Sequence, residues 1–314
     1  MMRCLFCYQF LNTAEKDFHL GCSKEIFGKA QPPEIDFNES QMVDMANKTI
    51  RARCAVTGVQ PKLSLEITKN ENSSGQDRFT IVGLWGGYIL KPPSLEYQHL
   101  PEVEDLTMHL ASIAGIDTVP HSLIRLSSGN LAYITKRIDR AKKKKIHMED
   151  MCQLTERLTE DKHEGSHEQI AKAILKYSVN PGLDVINFYE QVLFSFLTGN
   201  ADMHLKNFSL INMPGMGYSL SPAYDMVATA LVNLKDNEEF ALTLNARKNK
   251  IEKKDFVAAF STAKIDSRAQ ENIFIKFKKV IPKWIEFIDI SFLTDEYKLK
   301  YKELIHRKQN QLFN

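Results

Sequence analysis

One stretch decides how the rest of this sequence is interpreted: Gly199-Asn200-Ala201-Asp202-Met203-His204-Leu205-Lys206-Asn207. The residues before it, from Val185 to Leu197, are apolar at too many positions for a single amphipathic stripe. That pattern predicts a buried helix. Gly199 can end such a helix by taking a left-handed conformation just past its last turn. The stretch therefore predicts a polar loop that starts where a buried helix stops.

A hairpin is predicted directly after this loop. Residues 208–211 and 218–220 have the pattern of two short strands, and the turn at 213–217 is rich in Gly and Pro. A hairpin doubles the chain back on itself. We therefore expect Asp225 to return to the neighbourhood of Asp202 and Asn207.

Asp202, Asn207 and Asp225 supply the oxygen atoms that a phosphoryl-transfer site needs. Asp202 and Asn207 lie five positions apart, the spacing at which protein kinases hold a catalytic base and a metal-binding amide. Asp225 adds a second carboxylate, which completes a set of hard oxygen ligands for Mg²⁺. Asn and Asp also suit turns, so the bare spacing has a structural interpretation as well. The order of helix, loop, hairpin and second Asp favours the catalytic interpretation.

Composition indicates an ordinary globular protein. The 314 residues are 43% hydrophobic and 25% charged, and 41 basic against 39 acidic residues give a net charge of +2. We therefore expect no direct binding to nucleic acid. No apolar stretch reaches the ~20 residues of a membrane span, and the N-terminus lacks the apolar run of a secretion signal. These features predict a cytoplasmic protein without a membrane partner.

The first residues carry a possible metal clip. Cys4-x2-Cys7 and His19-x2-Cys22 have the spacing of paired knuckles, in which three thiolates and one imidazole can close a tetrahedral Zn²⁺ shell. The alternative is that these cysteines are small apolar side chains that pack a terminal extension. The sequence predicts one structural Zn²⁺ if the first interpretation holds.

A strand-rich region follows from about residue 50. Leu63, Leu65 and Ile67 alternate with polar residues, as a half-buried antiparallel strand requires. The segment Thr57-Gly58-Val59-Gln60-Pro61-Lys62 leads into that strand. A loop with a Gly and free backbone N–H groups can lie over phosphates, although the fragment alone favours an ordinary hairpin turn.

Lys91 ends the next apolar strand, Tyr88-Ile89-Leu90-Lys91. At that place a lysine side chain can reach into a cleft and contact the phosphates of a nucleotide. Glu102 and Glu104 open the following helix, and either acid could orient the lysine. The structural alternatives are a solvated strand end for Lys91 and simple compensation of the helix dipole for the two acids.

The sequence thus predicts an α+β protein with a two-lobed, protein-kinase-like fold. Residues 1–48 form an N-terminal extension with the possible Cys/His clip, residues 49–140 a strand-rich N-lobe, and residues 141–314 a helical C-lobe. The basic run around 137–145 lies at the boundary. It is either a solvated linker or a contact for phosphate or an acidic partner.

Six motifs together resemble the HipA family of bacterial toxin serine/threonine kinases. They are spread over most of residues 50–260, and jointly they are specific where each alone is not. They are Thr57-Gly-Val-Gln-Pro-Lys62, Tyr88-Ile-Leu-Lys91, Lys136-Arg-Ile-Asp-Arg140, His147-Met-Glu-Asp-Met-Cys-Gln153, Gly199-Asn-Ala-Asp-Met-His-Leu-Lys-Asn207 and Leu220-Ser-Pro-Ala-Tyr-Asp-Met226.

The resemblance implies ATP and Mg²⁺ as cofactors. It implies Asp202 as the catalytic base, Asn207 and Asp225 as Mg²⁺ ligands, and Lys91 on the phosphates. The phosphate loop would be Gly58 to Lys62, including Val59 and Gln60. Thr57, the hydroxyl residue before the Gly, would be an autophosphorylation site.

Other positions match the family less closely. Lys136 stands at the hinge where HipA-type kinases often carry Glu, and Ile138 stands where they carry an aromatic residue. His204 matches a nucleotide-site histidine of the family, although a loop histidine can equally be structural. The kinase core starts near residue 50, which resembles the shorter HipT-like forms. The Cys/His clip then takes the place of the N-terminal sub-domain of long HipA proteins.

The resemblance also implies partners. By analogy we expect a protein substrate such as an aminoacyl-tRNA synthetase, and a helix-turn-helix antitoxin. A small separate protein like the N-terminal sub-domain is a further expected partner. Two other classes stay open, namely a small-molecule phosphotransferase that uses the same Asp/Asn/Asp site and a catalytically silent, zinc-bearing interaction module.

Overall fold

The chain is described from a computed structural model that covers residues 2–42, 62–69, 76–83, 85–141, 144–233 and 237–313. It divides into two compact units. The first unit comprises Met1–Asp105, Val119–Ile138 and Ile290–Phe292, and the second comprises Leu106–Thr118, Asp139–Asp289 and Leu293–Asn314. None of the helices in these ranges is both long and apolar enough to cross a membrane.

A five-stranded antiparallel sheet forms the centre of the first unit. Its strands are β1 (Leu63–Thr68), β2 (Arg78–Ile81), β3 (Tyr88–Lys91), β4 (His121–Arg125) and β5 (Leu131–Lys136), in the order β2-β1-β3-β5-β4. Leu90 of β3 lies opposite Leu63 of β1 on one side and Ile134 of β5 on the other. All three side chains are almost fully buried. This register places the end of β3, and with it Lys91, in the middle of the sheet.

The N-terminal residues belong to the same unit as the sheet. A helix at Leu20–Phe27, which the sequence analysis did not predict, ends at Gly28 in a left-handed conformation with φ of 70°. The ring of Phe27 packs 5.7 Å from that of Phe79 and 6.1 Å from that of Tyr88. Residues 2–42 therefore share one hydrophobic core with the sheet. The predicted extension 1–48 packs into the N-lobe core over its described part.

The helix Leu100–Ile113 begins in the first unit and continues in the second. Val103, Leu106 and Leu110 are completely buried and, spaced three and four residues apart, form one apolar stripe along this helix. Two acids of the first unit, Glu104 and Asp105, are also almost completely buried. Buried carboxylates need charged or hydrogen-bonded partners, and both residues have them, as described below.

Helices dominate the second unit. Their bounds are Met151–Leu154, His167–Tyr177, Pro181–Thr198, Thr229–Val232, Lys253–Thr262, Ser267–Asp289 and Asp295–Phe313. The helix Pro181–Thr198 is buried over most of its length, as predicted from its apolar pattern. Around it the core is rich in aromatic side chains, and Trp284 donates a hydrogen bond of 2.8 Å to the Leu110 carbonyl.

A three-stranded sheet in the second unit supports the loop at 199–207. It consists of β8 (Met148–Asp150), β9 (Ser209–Met213) and β10 (Gly217–Leu220), with β9 in the middle. The predicted hairpin is thus confirmed as β9 and β10. The basic run forms two very short strands, β6 (Arg140–Ala141) and β7 (Lys144–Lys145), which pair with each other.

His167 lies in the core of the second unit. Its ring packs 4.8 Å from that of Phe240, and Nδ1 lies 3.1 Å from the Thr243 carbonyl oxygen. A carbonyl oxygen only accepts hydrogen bonds, so Nδ1 carries the proton of a neutral ring. Burial lowers the pKa of His167 to about 4, because the charged form loses its hydration.

We expect this histidine to make the protein less stable in acid. Its pKa in the folded state lies below the ordinary value of 6.5, so its contribution is complete above pH ~6.5 and is lost as the pH falls towards ~4. Denaturant titrations at pH ~7.5 and pH ~5 should show a loss of about 2 kcal/mol that His167→Gln lacks. The exposed His306→Gln is the control. An equal pH dependence in all three proteins would contradict the prediction.

Candidate active site

The loop at 199–207 starts from a fixed point at the end of the helix Pro181–Thr198. Gly199 adopts φ of 71°, and its N–H donates to the carbonyls of the last helical turn. A Cβ at this position would lie 2.8 Å from Leu304 Cδ2 and 3.1 Å from Ala230 Cβ. Glycine is therefore required here both by conformation and by space.

The segment after Asp225 holds the start of the loop. The Ala201 N–H donates to Thr229 Oγ1 at 2.8 Å, and the Ala230 N–H donates to the Gly199 carbonyl at 3.0 Å. Between these anchors and the following 3₁₀ turn Leu205–Asn207 lies Asp202, an exposed residue. Asp202 thus lies on a constrained backbone and is accessible from solvent. A base that takes the proton from the hydroxyl group of another molecule must be accessible in this way.

Asn207 has a defined orientation although it is almost completely buried. Its Nδ2 donates to the backbone carbonyl of Asp202 at 3.1 Å and lies 3.8 Å from Met203 Sδ. Because the Asp202 carbonyl can only accept, the amide nitrogen must face it. The Oδ1 atom is consequently the one turned to other partners. An oriented amide oxygen of this kind is a suitable ligand for a hard cation.

Asp225 lies on a strained backbone next to the same loop. Its φ is 58°, in the left-handed region that residues with a Cβ seldom adopt. The preceding Tyr224 is held firmly, because its hydroxyl donates to the Lys206 carbonyl at 3.0 Å and lies 2.5 Å from Ser209 Oγ. Strain of this kind persists where neighbouring contacts fix the backbone, and it is common at functional sites.

The donor set of Asn207 and Asp225 fits Mg²⁺. An amide oxygen and a carboxylate are the hard ligands that this ion takes from proteins, with phosphate and water oxygens completing the shell. Asp225 is near enough to His204 for its charge to act on the pKa of that ring. Asn207 is thus joined to Asp202 by a hydrogen bond, and Asp225 lies beside the same loop, which its neighbour Tyr224 contacts at Lys206.

Two histidines accompany Asp202. The rings of His163 and His204 are 5.0 Å apart, and a ligand atom of each lies within 4.8 Å of an Asp202 oxygen. Burial and the charge of Lys162 lower the pKa of His204 to about 3, and the same two causes lower the pKa of His163. His204 is thus neutral near neutral pH. His163 was missed by the sequence analysis, because no motif surrounds it and it reaches Asp202 only through folding.

The motif at 147–153 braces the loop. Asp150 Oδ2 accepts from Lys206 Nζ at 2.6 Å, and the Asp150 side chain also caps the helix Met151–Leu154. The Leu205 N–H donates to the Lys162 carbonyl at 3.1 Å. The stretch His147–Gln153 thus supports the loop at 199–207 through Asp150.

Lys91 is buried in the first unit, where only 4% of it is exposed. Its Nζ pairs with the Glu104 carboxylate, and it lies 5.4 Å from the centre of the Tyr133 ring. The alternative of a solvated strand end is therefore wrong. Of Glu102 and Glu104, the two acids considered, Glu104 is the one that pairs with Lys91. A lysine on a strand paired with a helix glutamate is the arrangement that protein kinases require for phosphate contact.

Other predicted site residues have more varied surroundings. Lys62 is half-buried just before β1, Lys136 is exposed at the end of β5, and Ile138 is half-buried where the first unit ends. Their predicted contacts with nucleotide stay predictions. Thr57, Gly58, Val59 and Gln60 lie outside the described residues.

The predicted zinc ligands are brought together. Cys4, Cys7, His19 and Cys22 lie in the first unit, and one ligand atom from each falls within 4.8 Å of the others. This cluster is separate in the sequence from the Asp/Asn/Asp set.

A family model described as HipA-like C-terminal domain matches residues 54–285, about three quarters of the chain. The putative kinase Y4dM of Sinorhizobium fredii is 32% identical over 213 residues, which cover 64% of this chain and 50% of Y4dM. A putative kinase of Haemophilus influenzae is 30% identical over 210 residues, covering 63% and 59%. The serine/threonine-protein kinase toxin HipA of Shewanella oneidensis is 27% identical over 198 residues, covering 57% and 44%. The chain spans about half the length of these relatives.

Solved structures with a similar fold include a complex of HipA, HipB and operator DNA from Shewanella oneidensis MR-1. The TM-score is 0.67 at 22% identity, over 82% of this chain and 64% of that chain. The proinflammatory kinase CtkA of Helicobacter pylori gives a TM-score of 0.50 at 15% identity, over 71% and 86%. The predicted α+β, kinase-like fold is thereby confirmed.

The geometry at the loop start gives a stability prediction. Gly199→Ala should lower the unfolding free energy by about 1 to 3 kcal/mol, because the new Cβ meets Leu304 and the backbone must keep a positive φ. The control is Gly182→Ala in the same helix, where no atom lies within 4 Å of an added Cβ. That variant should be equally stable or more stable by up to about 1 kcal/mol. Denaturant unfolding measures the unfolding free energy of both variants. Equal values for Gly199→Ala and Gly182→Ala would contradict the prediction.

Proposed function

Because this chain belongs to the family of HipA-like C-terminal domains, we propose that it is an ATP-dependent serine/threonine protein kinase of the toxin type. The observation that carries the proposal is the orientation of Asn207, whose amide nitrogen is held by the Asp202 carbonyl and whose oxygen is thereby turned away from that carbonyl. A turn-forming Asn needs no such orientation. A magnesium ligand beside a catalytic base does.

Each residue of the set then has one task. Asp202 accepts the proton of the attacking hydroxyl group, which contributes roughly 100-fold or more to the rate. Asn207 Oδ1 and the Asp225 carboxylate hold Mg²⁺, and Lys91, oriented by Glu104, contacts the nucleotide phosphates. Mg·ATP, when bound, supplies the γ-phosphoryl group and its leaving group. Neutral His204 lines the same loop and adds no positive charge there.

The partners follow from the relatives. A HipA structure contains the antitoxin HipB and operator DNA, and we propose that a helix-turn-helix antitoxin likewise neutralises this chain. We propose an aminoacyl-tRNA synthetase as the protein substrate, on family likeness alone. A small protein like the N-terminal sub-domain of long HipA proteins is a further proposed partner.

We also propose that Thr57 is an autophosphorylation site. A phosphoryl group there would add about −1.5 to −2 charge to a loop that contacts the phosphates of ATP. Like-charge repulsion would then expel the loop or the nucleotide. Autophosphorylation would therefore switch the kinase off.

Two substitutions separate the base from the metal ligand. Asp202→Asn should lower phosphoryl transfer at least ~100-fold and leave Mg·ATP binding nearly unchanged, because it removes only the proton acceptor. Asp225→Asn should weaken binding of Mg·ATP as well, because it removes a formal charge from the metal shell. Nucleotide titrations with and without Mg²⁺, together with labelled ATP and a cell lysate, measure both effects.

A matched control is Asp295→Asn, a change of the same kind at an exposed carboxylate. It should leave both transfer and binding as in the unaltered protein. Full activity of Asp202→Asn would refute the assignment of the base. Label that enters a metabolite and no protein would refute the protein kinase and favour a small-molecule phosphotransferase.

Thr57→Ala tests the regulatory part separately. The variant should remain active and gain no phosphate at this loop, whereas Thr57→Asp should bind ATP less tightly, because one carboxylate imitates the phosphate charge only partly. Intact-mass measurement and peptide mapping after incubation with ATP locate the modification. Phosphate found only at other residues of the unaltered protein would refute the proposed site.

A further inference from the structure

Three thiols and one imidazole of the first unit converge on one point. His19 Nδ1 lies 3.3 Å from Cys7 Sγ and 3.7 Å from Cys22 Sγ. Cys4 Sγ completes the group and lies within 4.8 Å of each of the other three ligand atoms. Tetrahedral zinc with bonds of about 2.3 Å to sulfur and about 2.0 Å to nitrogen separates such ligands by about 3.6 Å. The two distances from His19 Nδ1 to Cys7 and Cys22 match this spacing, and all four ligand atoms lie close enough together for one ion to draw them into a tetrahedral shell.

The backbone around the cluster is built for this convergence. Cys4 and Cys7 face inward from a tight turn, in which the Cys4 N–H donates to the Gln9 carbonyl at 2.8 Å and the Tyr8 N–H donates to the Cys4 carbonyl at 3.0 Å. His19 is the N-cap residue of the helix Leu20–Phe27, so Cys22 lies in the first turn of that helix. Two rigid elements thus contribute two ligands each.

The tautomer of His19 is an independent indication of a metal. Its Nε2 lies 3.0 Å from the Phe10 carbonyl oxygen, which can only accept a hydrogen bond. Nε2 therefore carries the proton, and Nδ1 presents its lone pair to the three sulfur atoms. A ring that donates to a backbone carbonyl through one nitrogen and offers the other to a cluster of thiols is characteristic of a metal-bound histidine.

The turn that holds Cys7 also places Tyr8 in the core. Tyr8 has φ of 63° and no exposed surface, and its ring packs 4.8 Å from that of Phe292. Its hydroxyl donates to Asp105 Oδ2 at 2.8 Å, while Asp105 Oδ1 lies 2.7 Å from His121 Nδ1. Residues far apart in the sequence are thus joined by one buried polar chain.

Asp105 directly follows Glu104, the acid that pairs with Lys91. Whatever constrains the position of Asp105 therefore also constrains the backbone of Glu104, whose carboxylate pairs with the lysine. We propose that Cys4, Cys7, His19 and Cys22 bind one Zn²⁺, and that this site, through Tyr8 and Asp105, positions the Lys91–Glu104 pair. The second half of the proposal rests on the proposed function, whereas the first half does not.

Four protein ligands leave no open position for water or substrate, so the zinc is structural. On binding, each thiol that is protonated releases its proton to solvent as a Zn–S bond forms, and no electron is transferred. Removal of the metal should release the turn at Tyr8. The expected effect is weaker nucleotide binding and not a loss of the catalytic base.

Metal content tests the site directly. Protein purified without chelator should contain one zinc per chain by elemental analysis, and Cys7→Ser should contain little or none. Cys152→Ser, which alters a buried cysteine outside the cluster, is the matched control and should keep its zinc. Should Cys7→Ser fail to fold, Co²⁺ added to metal-free unaltered protein should give the absorption bands of a tetrahedral thiolate site. Absence of zinc and of these bands, or a disulfide among the three cysteines, would overturn the metal site.

The coupling to Lys91 needs a second variant. Tyr8→Phe keeps the ring and removes the hydroxyl, so it should retain zinc but raise the dissociation constant of Mg·ATP and KM for ATP by roughly tenfold, with kcat changed much less. Removing zinc should have a similar effect, and adding zinc back should reverse it. Unchanged nucleotide affinity in both cases would overturn the coupling while leaving the zinc site intact. Zinc without any kinase activity would instead refute the proposed function alone.

Discussion

The helix Pro181–Thr198 holds both ends of the segment that carries Asp202, Asn207 and Asp225. At its C-terminal end Gly199 turns the chain into the loop. Near its N-terminal end Asp184 accepts hydrogen bonds from Ser178 Oγ at 2.5 Å and from the Leu220 N–H at 2.8 Å. Leu220 is the last residue of β10, a few positions before Asp225. Because the helix is buried, neither end can shift without loss of apolar burial in the core.

The first unit depends on a different interaction, the buried pair of Lys91 and Glu104. Taking two charges out of water costs several kcal/mol each, and a buried ion pair is for that reason weak support for stability. Removing one partner alone typically costs about 3 to 5 kcal/mol, because the other charge is left uncompensated. Because the pair contributes little to net stability, its presence is more simply explained by a function of the lysine. The polar chain from Tyr8 to His121 joins the helix at Asp105, the residue next to Glu104.

Much of this arrangement is predictable from the sequence, and the reason is locality. The apolar run at 185–197, the hairpin after it and the strand that ends at Lys91 are local patterns, so periodicity and turn residues suffice to find them. Glu104 was one of two possible partners for Lys91, because both acids occupy the same helical turn and only the rotation of the helix chooses between them.

Contacts between distant residues have no such local pattern. Tyr8 and Asp105 are 97 positions apart, and nothing in the sequence around Tyr8 indicates a buried hydroxyl. His163 reaches Asp202 only because its loop folds back, and the helix Leu20–Phe27 is too short to give a clear period. The cysteine spacing predicted the cluster at the N-terminus. Only the folded structure indicates that the cluster shares a core with the sheet.

The backbone conformation at Asp225 restricts which residues suit this position, whether or not a metal binds there. At φ of 58° the favoured residues are Gly, Asn and Asp, because Gly has no Cβ and short polar side chains can stabilise the left-handed conformation locally. The Mg²⁺ shell proposed for Asp225 would in addition require a negatively charged oxygen donor at this position. Of these three residues only Asp meets both the backbone requirement and the ligand requirement, since Gly has no side-chain ligand atom and Asn has no charge. Glu keeps the negative charge but lacks the short side chain that stabilises the left-handed conformation locally, so replacing Asp225 by Glu is expected to cost stability.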